Sequence, residues 1–356
     1  MKILHSADWH LDAPMTGHTP ELAEQLRRRL RKIPEKVTRL ATAEGCDLLL
    51  LSGDLFDGKV SQETLTEVRT ALEKVKIPVI IAPGNHDFCS SDSVYLAESW
   101  PGNVHIFTEP TIHSIVLEDL DCRIYGAGYD SMDCPGLMKN FHIEGNERWH
   151  IGVLHGEADT LTSHYCPISK PQIRESGLNY LALGHIHKGG SLRVGDTLCA
   201  WPGCPMGRGF DELGPKGVIL AELSDTVSAS FIALDTPRFF DEEAEVSSDP
   251  MDAVAAILPS LDTTDFYRIT LTGYCGNVDT QKIAAAFPHV PNLTLRDETL
   301  PEMDLWGTLG QDNLEGVFFG LLHEGCNSES ETIRRRAKLA AQLSRKLLDG
   351  QEVKLP

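Results

Sequence analysis

Val79-Ile80-Ile81-Ala82-Pro83-Gly84-Asn85-His86-Asp87 passes without interruption from an apolar run into a turn bearing an amide, an imidazole and a carboxylate. Four apolar residues closed by Pro-Gly read as a strand and its C-terminal turn. Strand ends matter because the sheet fixes backbone direction there, so side chains on the following loops can converge. The arrangement recurs along the chain. Lys2 to Ser6 is a strand leading to Asp8-Trp9-His10, and Asp47 to Ser52 is a nearly continuous apolar strand, buried on both faces, leading to Gly53-Asp54. Trp149 to Leu154 ends in His155, and Tyr180 to Leu183 ends in Gly184-His185-Ile186-His187. Helical periodicity fills Glu21 to Gly45, interrupted at Pro34, and Gln62 to Val75. Short strands alternating with helices and tight turns predict α/β layers.

A chain of 356 residues exceeds the length at which one core usually keeps growing, so two unequal domains are expected. The composition shifts after Leu234, through Asp235-Thr236-Pro237 and the acidic run Asp241 to Glu245. Beyond it, Phe266 to Thr272 alternates as a strand, Thr280 to Phe287 is helical and Val290 to Leu295 reads as another strand, a small α+β module. Glu329 to Leu348 is a helix with an apolar stripe at Ile333, Ala337, Ala340, Leu343 and Leu347. The expected divisions are 1–235, 236–300 and 301–356.

Apolar content of 41% and charged content of 24% are those of a soluble globular chain and exclude disorder by composition. Met1 to Asp8 holds too short an apolar run for a signal peptide, and no segment offers the ~18 apolar residues of a membrane span, so a cytoplasmic protein is expected. Nine scattered cysteines, never spaced C-x-x-C, argue against a disulfide framework and a thiolate zinc site. A balance of 32 basic against 52 acidic residues gives a formal charge of −20, which on its own repels a polyanion. Basic residues nevertheless cluster at Arg27 to Arg39 and at Arg334 to Lys346, and each cluster by itself reads as a solvated helix face.

His, Asp and Asn supply the mixed nitrogen and oxygen donors that two divalent metals need when they share a carboxylate. Taken singly, a loop His is usually a hydrogen-bonded structural residue and an Asp after a strand a turn former or cap. Five segments in order, each at a strand end, reverse that reading. Two ions ~3.5–4 Å apart suit phosphate ester hydrolysis, because they activate water and neutralise phosphoryl oxygens. Asp54 is expected to bridge, with Asp8, His10 and His187 on one metal and Asn85, His155 and His185 on the other. His86 follows Asn85 and projects differently, so it is assigned to stabilising the transition state and protonating the leaving oxygen. Asp87 either orients His86 or caps the following turn. Asp8-Trp9-His10 and His185-Ile186-His187 are expected to be extended, with both ligands on one side and Trp9 and Ile186 in the packing layer. The other histidines, among them His5 and His150, read as structural.

These motifs, D-x-H, G-D, G-N-H-D, an isolated His and G-H-x-H, resemble those of the calcineurin-like metallophosphoesterase superfamily. The resemblance implies a two-sheet β-sandwich flanked by helices and a two-metal hydrolase, and leaves the substrate open. Ser52-Gly53-Asp54-Leu55-Phe56-Asp57, Leu183 to Lys188, and Trp201-Pro202-Gly203-Cys204-Pro205-Met206-Gly207-Arg208 followed by Gly214-Pro215-Lys216-Gly217-Val218 look like the DNA-repair exonuclease branch. These are the SbcD-type nuclease subunits, and the Gly207-Arg208 and Gly-Pro-Lys-Gly forms are similar to YhaO-like members. That branch implies a small capping domain, C-terminal helices docking on an SbcC-type coiled-coil ATPase, DNA as substrate and Mn²⁺ as metal. The ligand types also suit Fe²⁺ and Zn²⁺, and Mg²⁺ stays open. Two positions depart: Asp57 stands where relatives commonly carry a His approaching the DNA end, and Cys204 where Ser or Asn is frequent.

Three functions compete. The leading one is a metal-dependent DNA nuclease working with an ATPase. The acidic charge favours its rival, a phosphodiesterase or phosphatase acting on a small molecule or phosphoprotein. The third is a clamp subunit with a vestigial metal site, which a complete ligand series opposes. The apolar stripe at the C-terminus leaves core, ATPase partner and homodimer open.

Overall fold

The structure, a computed structural model, describes residues 1–160, 162–246, 249–276, 278–300 and 304–350. By internal contact the chain divides into two compact units, Met1–Phe240 and Asp241–Pro356.

The strands of the first unit open with β1 (Lys2–Ser6), β2 (Leu48–Leu51), β3 (Val79–Ile81), β4 (Val104–Ile106), β5 (His113–Leu117), β6 (Cys122–Gly126) and β7 (Trp149–His155). They continue with β8 (Glu157–Ala158), β9 (Pro167–Ile168), β10 (Tyr180–Gly184), β11 (Gly190–Val194), β12 (Thr197–Trp201), β13 (Gly217–Leu223) and β14 (Val227–Ala233). Twelve of them form two six-stranded sheets, ordered β14-β13-β1-β2-β3-β4 and β11-β12-β10-β7-β6-β5. β1 to β4 are mutually parallel, and so are β12, β10, β7 and β6, while antiparallel strands flank the first sheet on its β13-β14 side and the second at both edges.

Ile3, Leu48, Leu50 and Ile80 of the first sheet share one buried cluster with Ile124, Ile151, Val153, Tyr180 and Ala182 of the second. The chain therefore forms a two-sheet sandwich, as the resemblance implied. β2 shows why its sequence must be apolar throughout. Leu48 and Leu50 face the second sheet, whereas Leu49 and Leu51 lie on the opposite face, and all four are fully buried. Each such side chain contributes roughly 1.5–3 kcal/mol by leaving water.

Helices α1 (Pro20–Leu30), α2 (Ile33–Ala43), α3 (Gln62–Lys74), α4 (Val94–Ala97) and α5 (Lys170–Ser176) belong to this unit. The helical break expected at Pro34 falls just before it, because Pro34 lies in the first turn of α2, where its missing N–H costs nothing. Ser61 caps α3 by accepting from Thr64 N at 3.2 Å. The first basic cluster is an ion-paired surface: exposed Arg28 meets Glu24 at 3.0 Å and Lys32 meets Glu67 at 3.3 Å, while Arg31, largely covered, meets Glu63 at 3.0 Å and Asp12 at 3.5 Å.

In the second unit β15 (Phe239–Val246), β16 (Phe266–Gly273) and β17 (Asn292–Asp297) form a sheet in that order, with α6 (Pro250–Ala255) and α7 (Thr280–Ala285). β16 and β17 pair in parallel, and the connection through α7 is the long crossover that parallel pairing requires. The unit ends in α8 (Leu314–Cys326) and α9 (Glu331–Leu348), which pack on each other. The approach is close at Gly325, where a Cβ would come within 2.8 Å of Ala337, and the Arg345 guanidinium lies 4.3 Å above the Phe319 ring. The expected α9 stripe is only partly buried: Ala337 is buried, Ala340 and Leu343 are half-buried, and Ile333 and Leu347 are exposed, while Ala341, outside the stripe, is buried as well. Residues 301–303 and 351–356 of the expected C-terminal segment lie outside the described residues. Among those described, no helix is long and apolar enough to cross a membrane.

Candidate metal centre

The C-terminal ends of β1, β2 and β3, adjacent in one sheet, meet those of β7 and β10, adjacent in the other. Asp8 and His10 follow β1, Asp54 follows β2, Asn85 and His86 follow β3, His155 ends β7, and His185 and His187 follow β10. The β1 and β2 loops are zipped together: Asp8 N donates to Gly53 O at 3.0 Å, His10 N to Asp54 O at 2.9 Å and Leu11 N to Leu55 O at 2.9 Å. Gly184 permits the closest approach, since a Cβ there would lie 2.0 Å from Ser52 O.

The ligand atoms of Asp8, His10 and His187 lie within 4.8 Å of one another, as do those of Asp8, Asp54 and His155, and those of His10, Asp54 and His86. His155 Nε2 is 3.3 Å from Asp54 Oδ2 and 3.0 Å from Asn85 Oδ1, which brings the amide into the same cluster. His185 stands beside these groups, its ring 5.3 Å from that of His155 and its backbone N donating to Asp8 Oδ1 at 3.0 Å. All seven expected ligands and His86 thus reach one locus.

Its chemistry fits cations. Asp8 Oδ2 is buried and has no hydrogen-bond partner, an arrangement that costs free energy unless a positive group meets it. Burial raises the Asp8 carboxyl to about 6 against the pull of His155 and His187. Burial also opposes charge on His155, yet Asp54 and Asp8 outweigh it and carry that imidazole up to about 10. Burial would raise Asp54, but His155 and His10 hold it well below the usual carboxylate range. Two carboxylates facing one point therefore stabilise positive charge there.

The outer atoms of the imidazoles are also held. His155 Nδ1 donates to Ser52 O at 2.9 Å, His10 Nδ1 meets Asp57 Oδ2 at 3.2 Å, and His187 Nδ1 meets Glu212 Oε1 at 2.7 Å. Such contacts fix the tautomer and leave Nε2 as the donor atom toward a metal. His185 uses Nε2 on Glu157 Oε1 at 3.0 Å, leaving Nδ1. Arg208 ties two of these carboxylates together, with Nη2 2.8 Å from Glu212 Oε1 and Nη1 3.7 Å from Asp57 Oδ2. Sequence reasoning assigned no role to Glu157 or Glu212. For Asp57 a signal existed, its place three residues after Asp54.

Two local expectations are corrected. Asp8, His10 and His185 are not extended: their φ values are 53°, 45° and 81°, in the left-handed region, and Asp54 joins them at 52°. Convergence thus comes from sharp turns. Trp9 is fully buried, but Ile186 is 37% exposed, because the turn at His185 rotates it out of the packing layer.

Asp87 takes neither expected role, since among the described residues none of the following turn donates a backbone N–H to it and His86 pairs elsewhere. Its carboxylate accepts from Gly84 N and Leu55 N, both at 2.7 Å, from Asp54 N at 3.2 Å and Phe56 N at 3.3 Å, and from Tyr95 Oη at 2.6 Å. It clamps the β2 and β3 loops, while Asp57 is the residue that touches His86, at 3.2 Å. Asp87→Ala is expected to destabilise the first unit by about 3 kcal/mol through those unpaired buried donors. Chemical denaturation of metal-free protein reads this; a loss under about 1 kcal/mol would show that the clamp carries little.

The calcineurin-like phosphoesterase family matches residues 1–189, more than half of the chain, and the protein belongs to it. That family is one of metallophosphoesterases, phosphoester hydrolases that use divalent metals. It is 32% identical over 241 residues to the uncharacterized metallophosphoesterase YhaO of Bacillus subtilis, covering 63% of this chain and 58% of that protein. The SbcD subunit of the nuclease SbcCD from the same organism is 22% identical over 258 residues, covering 60% of this chain and 64% of that protein. The chain thus spans less than two thirds of the length of either relative. A dimetal phosphatase from Danio rerio superposes with a TM-score of 0.41 at 12% identity, over 64% of this chain and 98% of that one.

Proposed function

We propose that this chain is a metal-dependent DNA nuclease, an SbcD-like phosphodiesterase working with a coiled-coil ATPase. The observation that carries it is the division within the site: Asp8, Asp54 and His155 are each only 1% exposed, while the side chain of His86 beside them is 39% exposed. A buried donor set next to one accessible imidazole suits a phosphoester held at the rim. Asp8, His10 and His187 would hold one ion, Asn85, His155 and His185 the other, with Asp54 between them. The ions supply Lewis acidity and charge neutralisation for the phosphoryl group. Asp57 orients His86 through Nδ1, and that hydrogen bond raises the imidazole above its ordinary range. His86 Nε2 then gives its proton to the leaving oxygen, and a protonated imidazole also favours the developing charge. Arg208 holds Asp57 and Glu212, keeping the His10 and His187 rings in register.

DNA as substrate is supported by the likeness to the SbcD subunit of SbcCD and by the Trp201 to Gly217 motif. Leu314, Val317, Phe318 and Leu321 support the partner: they form one exposed apolar face on α8, at the spacing of helix-in-groove anchors. The formal charge of −20 favours the rival small-molecule phosphodiesterase. Mn²⁺-loaded protein is expected to cleave single-stranded DNA ends in preference to bis-p-nitrophenyl phosphate and free nucleotides. DNA cleavage no higher than in a metal-free control rejects the reading. A second arm adds an SbcC-type ATPase, which should co-elute with this chain and lose it when Leu321 becomes Asp; equal co-elution rejects the α8 surface.

A further inference from the structure

Phe231 is 44% exposed although it sits on the face of β14 turned toward the sandwich interior. Its register partner on β13, Ile219, is buried between the sheets, and Ala229, two residues away on the same face, packs against that core. The opposite wall leaves the ring open. There the chain leaving His187 reads Lys188-Gly189-Gly190: a Cβ at Gly189 would lie 3.6 Å from the ring, and one at Gly190 would meet nothing within 4 Å. On the other side the ring rests on backbone, since a Cβ at Gly217 would come within 2.9 Å of Phe231 Cζ.

The result is a cavity of about 390 Å³ lined by Phe231, Leu213, Pro202, Lys188 and Lys216, with His187 as the wall shared with the metal centre. The volume is that of a small-ligand site. In a chain with 52 acidic residues, the described lining of this cavity has two lysines and no carboxylate. Lys216 is buried, with Nζ 3.5 Å from the carbonyl of His187, and Lys188 is exposed. An open aromatic face between two cations, one wall away from the phosphoester centre, matches a planar base attached to phosphates.

We propose that this cavity holds a nucleobase of the substrate strand, stacked on Phe231, while Lys188 and Lys216 meet the flanking phosphates. The proposal rests on the DNA reading above. Its test uses the full chain loaded with Mn²⁺ and two single-stranded oligonucleotides, one with thymine at every position and one with abasic sites next to the cleaved bond. The kcat/KM preference of the first over the second is the quantity read. Phe231→Ala and Phe231→Leu should reduce that preference about tenfold, the order that one base–aromatic stack carries, and Phe231→Trp should retain it. Phe231→Leu keeps apolar volume, so it reports on the ring even if the alanine variant folds poorly. An unchanged preference in Phe231→Leu overturns the stacking site while leaving the nuclease standing. Wild-type protein that cleaves neither strand overturns both readings together.

Discussion

Asp54→Asn is expected to bind fewer than two ions per chain and to hydrolyse phosphodiesters roughly 10³-fold more slowly, the several kcal/mol that metal charge supplies. Asp54 lies in both the His155 group and the His10–His86 group, and its Oδ2 is 3.3 Å from His155 Nε2 and 3.7 Å from His10 Nε2. No other carboxylate among the described residues is so close to both. Asparagine keeps the shape and can still accept from His86 N through its carbonyl oxygen, a bond Asp54 Oδ1 makes at 2.9 Å. Folding should therefore survive while the charge is lost. Counting bound Mn²⁺ by calorimetry and elemental analysis gives the answer; two ions held at wild-type affinity would remove Asp54 from the bridging position.

His86→Ala is expected to do the opposite on the first readout, keeping two ions while turnover drops by about 10²- to 10⁴-fold, the usual size of general acid catalysis. The geometry leaves a rival open to test, because the His86 ring also groups with His10 and Asp54 at metal-binding distance. Exposure separates the two: Asn85 is 3% exposed, whereas its neighbour His86 projects outward. Substrates with a strongly acidic leaving group need no proton, so the defect should shrink on them. A variant that loses an ion, or one equally impaired on both substrates, refutes the acid assignment.

Much of this was legible locally. Strand ends at Ser6, Leu51, Ile81, His155 and Gly184 follow from apolar runs stopped by Gly, Pro or Asp, and short-range rules carry that information. The pairing of strands into two sheets was not, because it depends on contacts such as Met1 N to Leu223 O at 2.9 Å, which join distant parts of the chain. The outer carboxylates Glu157 and Glu212 were hidden for the same reason: nothing near them in sequence announces the imidazole each one meets. Helix α8 was expected only through the resemblance, because Gly316, Gly320 and Gly325 interrupt its helical pattern with the residue least suited to it after proline. His5 shows the converse. It reads as an ordinary histidine and is one, fully buried with Nδ1 2.9 Å from Tyr180 Oη and Nε2 2.7 Å from Ser52 Oγ.

The left-handed backbone at Asp8, His10, Asp54 and His185 bears on how such a protein could drift. Each non-glycine residue held there costs on the order of 1 kcal/mol that glycine would not. A descendant with no further use for the ions would gain stability at these positions by the simplest substitutions, and its centre would erode from the backbone outward. This chain carries a carboxylate or imidazole at all four, the strained version where a relaxed one is a single replacement away.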